Sequence, residues 1–141
     1  MDLEGEDLDG EDVSLADLRG KVVVINVWWS NCPPCRKEAP ELVQVAEATT
    51  GPDVAFLGID VRDSSREASR GYERTFKIPF PSIYDPRGVS LLEFHGRLTP
   101  NAIPSTLVLD REGRVAASVL GPIPSATTLR NVIEKVVAED G

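Results

Sequence analysis

Lys21-Val22-Val23-Val24-Ile25-Asn26-Val27-Trp28-Trp29-Ser30-Asn31-Cys32-Pro33-Pro34-Cys35 runs from a β-branched block into a pair of cysteines. The stretch Lys21 to Trp28 is apolar at nearly every position, which suits an extended segment buried on both faces. Strands of that kind lie centrally in a sheet, in parallel pairing under helices. The cysteines stand where this strand hands over to a helix. One face of that helix is marked by Ala39, Leu42, Val43 and Ala46, at i, i+3, i+4 and i+7. Pro40 lies inside it and is expected to bend it.

Downstream, Val54 to Val61 is a second buried strand. Ser64 and Glu67 have the spacing of a capping box, with Ala68, Tyr72 and Phe76 four apart on the face behind it. Ile78-Pro79-Phe80-Pro81 ends that helix, and a short strand is expected at Ser82–Tyr84. Asp85-Pro86 reads as an N-cap with proline at the first helical position, leading a short helix through Phe94. A loop follows from His95 to Ile103. Ser105–Asp110 and Arg114–Leu120 form two strands about a turn in which Gly113 supplies positive φ. Leu129, Val132, Ile133, Val136 and Val137 share one face of a closing helix. Upstream, Ser14-Leu15-Ala16-Asp17 caps a short turn that Gly20 ends. The opening carries seven carboxylates in twelve residues and reads as a solvated edge or frayed terminus. The order β–α–β–α–(β)–α–β–β–α describes an α/β domain with a mixed sheet, one domain over residues 1–141.

Fifteen basic against twenty-three acidic residues give a net charge of −8. That balance excludes a nucleic-acid binder working through clustered Lys and Arg, and equally docking on an anionic membrane. No apolar run approaches the roughly 20 residues that span a bilayer. The opening lacks the basic and apolar regions of a secretory signal, so membrane contact would need an anchor absent from this chain. Cys32 and Cys35 are the two cysteines present, and the one histidine, His95, stands sixty positions beyond. No metal site is expected from so few soft ligands. A purely structural disulfide is the alternative, but closing so short a loop stabilises little.

A helix N-terminus presents free N–H groups and partial positive charge, which stabilise a thiolate. Cys32, at the very end, is therefore expected to attack, and Cys35, one turn inside, to resolve the mixed disulfide. Pro33 and Pro34 each remove an N–H that would otherwise serve the Cys32 sulfur, so the thiol should be less acidic than in strongly oxidising proteins.

The stretch from Asn26 to Pro40, the opening Val13–Lys21 and the late Ile103-Pro104-Ser105-Thr106-Leu107-Val108-Leu109-Asp110 resemble thioredoxin-like proteins of the TlpA/ResA type. The resemblance covers nearly the whole chain. It implies a thioredoxin fold with an N-terminal extension and a central helix-bearing insertion near Asp60 to Asp85. It also implies thiol–disulfide exchange without a cofactor, by an extracytoplasmic monomer whose partners are protein thiols and disulfides, with an upstream redox donor. Pro104 matches the cis-proline that faces the dithiol, although an ordinary trans proline opening a strand is the reading from residues alone. Ile103 beside it is carried over as a partner contact. Glu38 matches a glutamate near the active-site cysteines that would relay protons if burial raises its pKa; otherwise it merely suits the helix dipole. Asn26 stands where plain thioredoxin has a buried aspartate, and an amide takes no proton, so acid–base help falls to Glu38 or water.

Two positions depart from the family pattern. Trp29 replaces a small residue and Asn31 replaces the tryptophan that usually precedes the first cysteine. Trp29 is expected either at the rim, as a partner contact, or packed under the insertion. His95 reads as a surface loop residue. The resemblance favours a reductant, for example of apocytochrome c, over an oxidant of secreted proteins or a binding module with an idle disulfide. A peroxidase pattern, Pro-x-x-x-Thr-x-x-Cys, would need proline and threonine where Ile25 and Trp29 stand.

Overall fold

The computed structural model describes residues 3–94, 97–98 and 102–140. His95 lies outside them. The β-branched block forms β3 (Val22–Trp28), following β1 (Glu4–Glu6), β2 (Asp12–Ser14) and a 3-10 turn at Leu15–Leu18. After it come α1 (Pro33–Thr49), β4 (Val54–Asp60), α2 (Arg66–Phe76) and β5 (Ser82–Tyr84). A second 3-10 segment, Val89–Phe94, precedes β6 (Ser105–Leu109), β7 (Val115–Leu120) and α3 (Ala126–Asp140). The main sheet has the order β5-β4-β3-β6-β7. Pairing is parallel from β3 through β4 to β5, and antiparallel from β3 to β6 and β6 to β7. This is the thioredoxin-like α/β fold with a mixed sheet.

Every residue of β3 is buried, and its pleat sorts them into two layers. Val23, Ile25 and Val27 pack with Leu3, Leu15, Leu91 and Phe94. Val22 and Val24 pack on Leu42, Val45 and Ala46 of α1 and on Leu129, Ile133 and Val136 of α3. Asn26 and Trp28 follow on that helical side, one at a polar junction and the other beneath the cysteines. The closing helix buries Leu129, Ile133 and Val136, with Val132 and Val137 half-buried at its margins.

Several local expectations shift. The opening is an ordered hairpin: β1 pairs with β2, and Leu3 and Leu8 are buried. Glu4, Glu6, Asp9, Glu11 and Asp12 still face water, but two arginines of α2 fasten the hairpin. Arg66 donates to the Asp7 carbonyl at 3.1 Å and Arg70 to the Leu8 carbonyl at 2.6 and 3.0 Å. On α1 the inward stripe contains Val45 rather than Val43, because it is set from Cys35 and Glu38 onward. The α2 cap is Ser65, whose hydroxyl accepts the Ala68 N–H, so Ala68 turns outward and Ser69 takes the inner face with Tyr72. Asp85 caps later than expected, accepting from Val89 and Ser90 N–H, and the segment behind it is 3-10.

Candidate active site

Cys32 is the N-cap of α1, and Pro33 and Pro34 fill the first two helical positions. Neither proline has an N–H, and among the described residues the donor that reaches Cys32 Sγ is the backbone of Cys35, at 3.2 Å. The cysteines are joined in a disulfide with Cα atoms 5.2 Å apart. Cys32 retains 3% of its surface and Cys35 none, so solvent reaches the pair at Cys32. The turn before it is closed by the Cys32 N–H on the Trp29 carbonyl, 3.3 Å. Trp29 and Ile103 are half-buried against the apolar cluster holding both cysteines, and Asn31 is exposed. The Ile103–Pro104 bond is cis.

Beneath the dithiol, Trp28 stacks on Tyr72 with ring centroids 4.4 Å apart and donates from Nε1 to Ser82 Oγ at 3.0 Å. The Tyr72 hydroxyl donates to the Cys35 carbonyl at 3.0 Å. Arg36 lies over the rings of Tyr72 and Phe76 and donates to the Ser30 carbonyl at 2.9 Å. Tyr72, Arg36 and Ser30 have no signature in the local sequence; they join the site through contacts between α1, α2 and the turn.

Glu38, one turn along α1 from Cys35, is 4% exposed. Its Oε1 accepts the Ile123 N–H at 2.9 Å and its Oε2 accepts from Asn26 Nδ2 at 3.1 Å. Burial pushes its pKa above the ordinary carboxylate value, against the opposing pull of those two hydrogen bonds. Asn26 Nδ2 also faces the Ser105 carbonyl at 3.4 Å and Thr106 Oγ1 at 3.3 Å. Asn26 thus ties the Glu38 carboxyl to the strand that follows Pro104. The structure gathers Cys32, Cys35, Trp29 and Ile103 at one cluster and joins Glu38 to Asn26 at its edge.

A second polar group backs the turn. Asp63 accepts the Ser30 N–H and the Ser69 hydroxyl, each at 3.0 Å, as well as the Ser30 hydroxyl. Asp60, the last residue of β4, adjoins it. Sequence alone singles out neither acid; an acid closing the otherwise apolar strand Val54–Asp60 is a signal that could have found the first. Among the described residues no group of three or more His, Cys, Asp or Glu could hold a metal.

Residues 1–118 match the AhpC/TSA family. The chain belongs to that family. Its relatives include thiol–disulfide oxidoreductases named ResA, and the solved structures similar to it include a DsbF homologue. It is 27% identical over 115 residues to the thiol-disulfide oxidoreductase ResA of Bacillus cereus, covering 82% of this chain and 64% of that relative. A DsbF homologue from Corynebacterium diphtheriae superposes with a TM-score of 0.88 at 36% identity, over 95% of this chain and 83% of the other. A secreted thiol-disulfide isomerase from Corynebacterium glutamicum gives a TM-score of 0.90 at 32% identity, over 98% and 84%. Among the described residues no helix is long and apolar enough to cross a membrane.

Proposed function

We propose that this AhpC/TSA member is an extracytoplasmic dithiol reductant of protein disulfides, acting for example on the cysteines of apocytochrome c, without a cofactor and as a single-domain monomer. The observation that carries the direction is the donor set at Cys32 Sγ. Pro33 and Pro34 withhold two backbone donors, which leaves the Cys35 N–H. A thiolate with fewer donors is less stable, so the reduced form is disfavoured and gives up its electrons more readily.

In this reading the Cys32 thiolate attacks a partner disulfide sulfur and a mixed disulfide forms. Glu38 takes the proton from Cys35, whose thiolate then attacks Cys32 Sγ and releases the partner's second thiol. An upstream donor reduces the resulting Cys32–Cys35 disulfide. Asn26 orients Glu38, while Trp29, Ile103 and Pro104 hold the partner chain beside Cys32. One relative is described as secreted, which supports an extracytoplasmic site, and another as a thiol-disulfide oxidoreductase, which supports the exchange.

The reduction potential tests the direction. It is expected nearer thioredoxin's, about −270 mV, than DsbA's, about −120 mV. A value above the middle of that interval would replace the reductant by an oxidant of secreted proteins. Cys35→Ser is expected to trap mixed disulfides with the natural partner in the native compartment. Unchanged biological activity in Cys32→Ser would instead mean a binding module with an idle disulfide.

A further inference from the structure

Behind the turn that delivers Cys32 lie two buried carboxyls that the exchange steps leave unused. Asp60 is 0% exposed, and among the described residues neither of its oxygens has a hydrogen-bond partner. Asp63 is 5% exposed and takes three donors, two from Ser30 and one from Ser69. The Asp63 carboxyl, three residues on, is set against Asp60 closely enough to bear on its ionisation, and Asp60 on that of Asp63. As two anions they would have no hydrogen to share, and like charges so close and so dry oppose each other's ionisation. A proton on Asp60 removes the conflict, because it donates to Asp63 and satisfies an oxygen that otherwise has no partner. Between them Arg62 takes a φ of 62°, a left-handed conformation that disfavours any residue but glycine.

We propose that Asp60 and Asp63 hold one proton between them, on Asp60, and that the Asp63 anion is a positioning residue that pins the Trp29–Cys32 turn and with it the attacking sulfur. The inference rests on the assignment of Cys32 as the attacking thiol. Ser30 is held on all sides: its N–H and hydroxyl by Asp63, its carbonyl by Arg36. Hydrogen bonds to an ionised acceptor are the strong ones, so the charge belongs on Asp63, where the donors are. The groups around the pair agree with that placement. Burial pushes Asp60 up to about 9, with Asp63 and Glu73 also opposing its ionisation; the Ser69 hydroxyl pulls the other way, but its hydrogen bond goes to Asp63. At Asp63 burial works against the charge, but hydrogen bonds from Asp60, Ser30 and Ser69 outweigh it and hold the carboxyl below its ordinary value. Tyr72, on the same inner face of α2, feels Asp60, Glu38 and Arg36 and is kept neutral by burial first. The same clamp fixes the backbone next to Trp29, which lies half-buried against the cysteine cluster.

The test uses the full chain with carboxyl-labelled aspartate. Carbon NMR at pH 7 is expected to show one protonated aspartate, lost in Asp60→Asn. Exchange of the reduced protein with an aromatic disulfide is then measured. Each rate is divided by the thiolate fraction taken from the pH profile of Cys32 alkylation, so that it reports position rather than ionisation. Asp60→Asn keeps an N–H donor for Asp63 and should stay within about twofold of the parent. Asp63→Asn should slow exchange roughly tenfold, the scale of a small misplacement of a reacting atom. Two ionised carboxyls at pH 7, or a folded Asp63→Asn with an unchanged corrected rate, would overturn the inference and leave the exchange assignment standing. A parent protein that exchanges no disulfide would overturn that assignment instead. If Asp63→Asn does not fold, Ser30→Ala removes the hydroxyl donor alone and should slow exchange about threefold; an unchanged rate there counts against the pin.

Discussion

Replacing Asp60 by asparagine should change how stability depends on pH, in a direction and over a window set by its surroundings. Burial first, then the Asp63 carboxyl, raises Asp60 from 3.8 to about 9. A carboxyl raised in the folded state binds its proton more tightly there than in the unfolded chain. Its contribution is therefore fully present below pH 3.8 and is lost progressively as pH climbs toward 9. Within that window one proton is worth roughly 1.4 kcal/mol per pH unit. Between pH 4 and pH 7 the parent protein thus loses at most about 4 kcal/mol through this group. Asparagine does not titrate, yet it keeps the shape and can still donate to Asp63. The stability of Asp60→Asn minus that of the parent should rise with pH, by up to the same roughly 1.4 kcal/mol per unit. Shifted groups that do not take their shift from Asp60 are common to both proteins and cancel in the difference. These include Glu73, which burial, Asp9 and Asp7 push up to about 7, and Glu38, which burial raises. Urea unfolding of the oxidised proteins at intervals from pH 5 to 8 gives the two curves. If they run parallel, Asp60 is ionised in the folded protein and the reasoning fails.

Gly58→Ala would place a Cβ inside van der Waals contact of Ser82 Oγ and 2.9 Å from Trp28 Nε1, beneath the dithiol. A loss of about 1–3 kcal/mol is expected, together with altered tryptophan fluorescence. Lys77 ends α2 at φ 55°, so Lys77→Gly should raise the urea midpoint by the equivalent of up to about 1 kcal/mol. Tyr72→Phe deletes the donor to the Cys35 carbonyl and should cost about 1 kcal/mol in the same assay. Glu38→Gln should slow disulfide exchange by roughly tenfold to a hundredfold and remove one inflection from its pH profile. An unchanged profile would leave Glu38 a purely structural acid.

What could be read from the chain was whatever depends on near neighbours. The block Val22–Trp28 announces a strand because every side chain suits burial, and the dithiol announces itself because strand, cysteines and helix are contiguous. The α2 cap fell on Ser65 rather than Ser64 because either serine fits the local spacing; Ser69 then faces inward to Asp63, a tertiary contact. The ordered opening was hidden by its own charge. Leu3 and Leu8 anchor it, and the arginines that fasten it come 59 and 62 residues later. Around the cysteines the same limit applies. Glu38 is visible three residues past Cys35, but its Ile123 partner is 85 residues away, and nothing local brings Tyr72 to Cys35.

Asn26 has two amide hydrogens and, among the described residues, three acceptors within reach: Glu38 at 3.1 Å, Thr106 at 3.3 Å and the Ser105 carbonyl at 3.4 Å. One acceptor is always left short. An ionised Glu38 claims its hydrogen strongly, whereas a protonated one claims it weakly and releases it to β6. The charge on a buried acid is thereby registered at the start of the strand that follows Pro104, through the loyalty of a single hydrogen and with no helix displaced. An aspartate at that position would have to supply a proton to take part. The amide instead arbitrates between its neighbours.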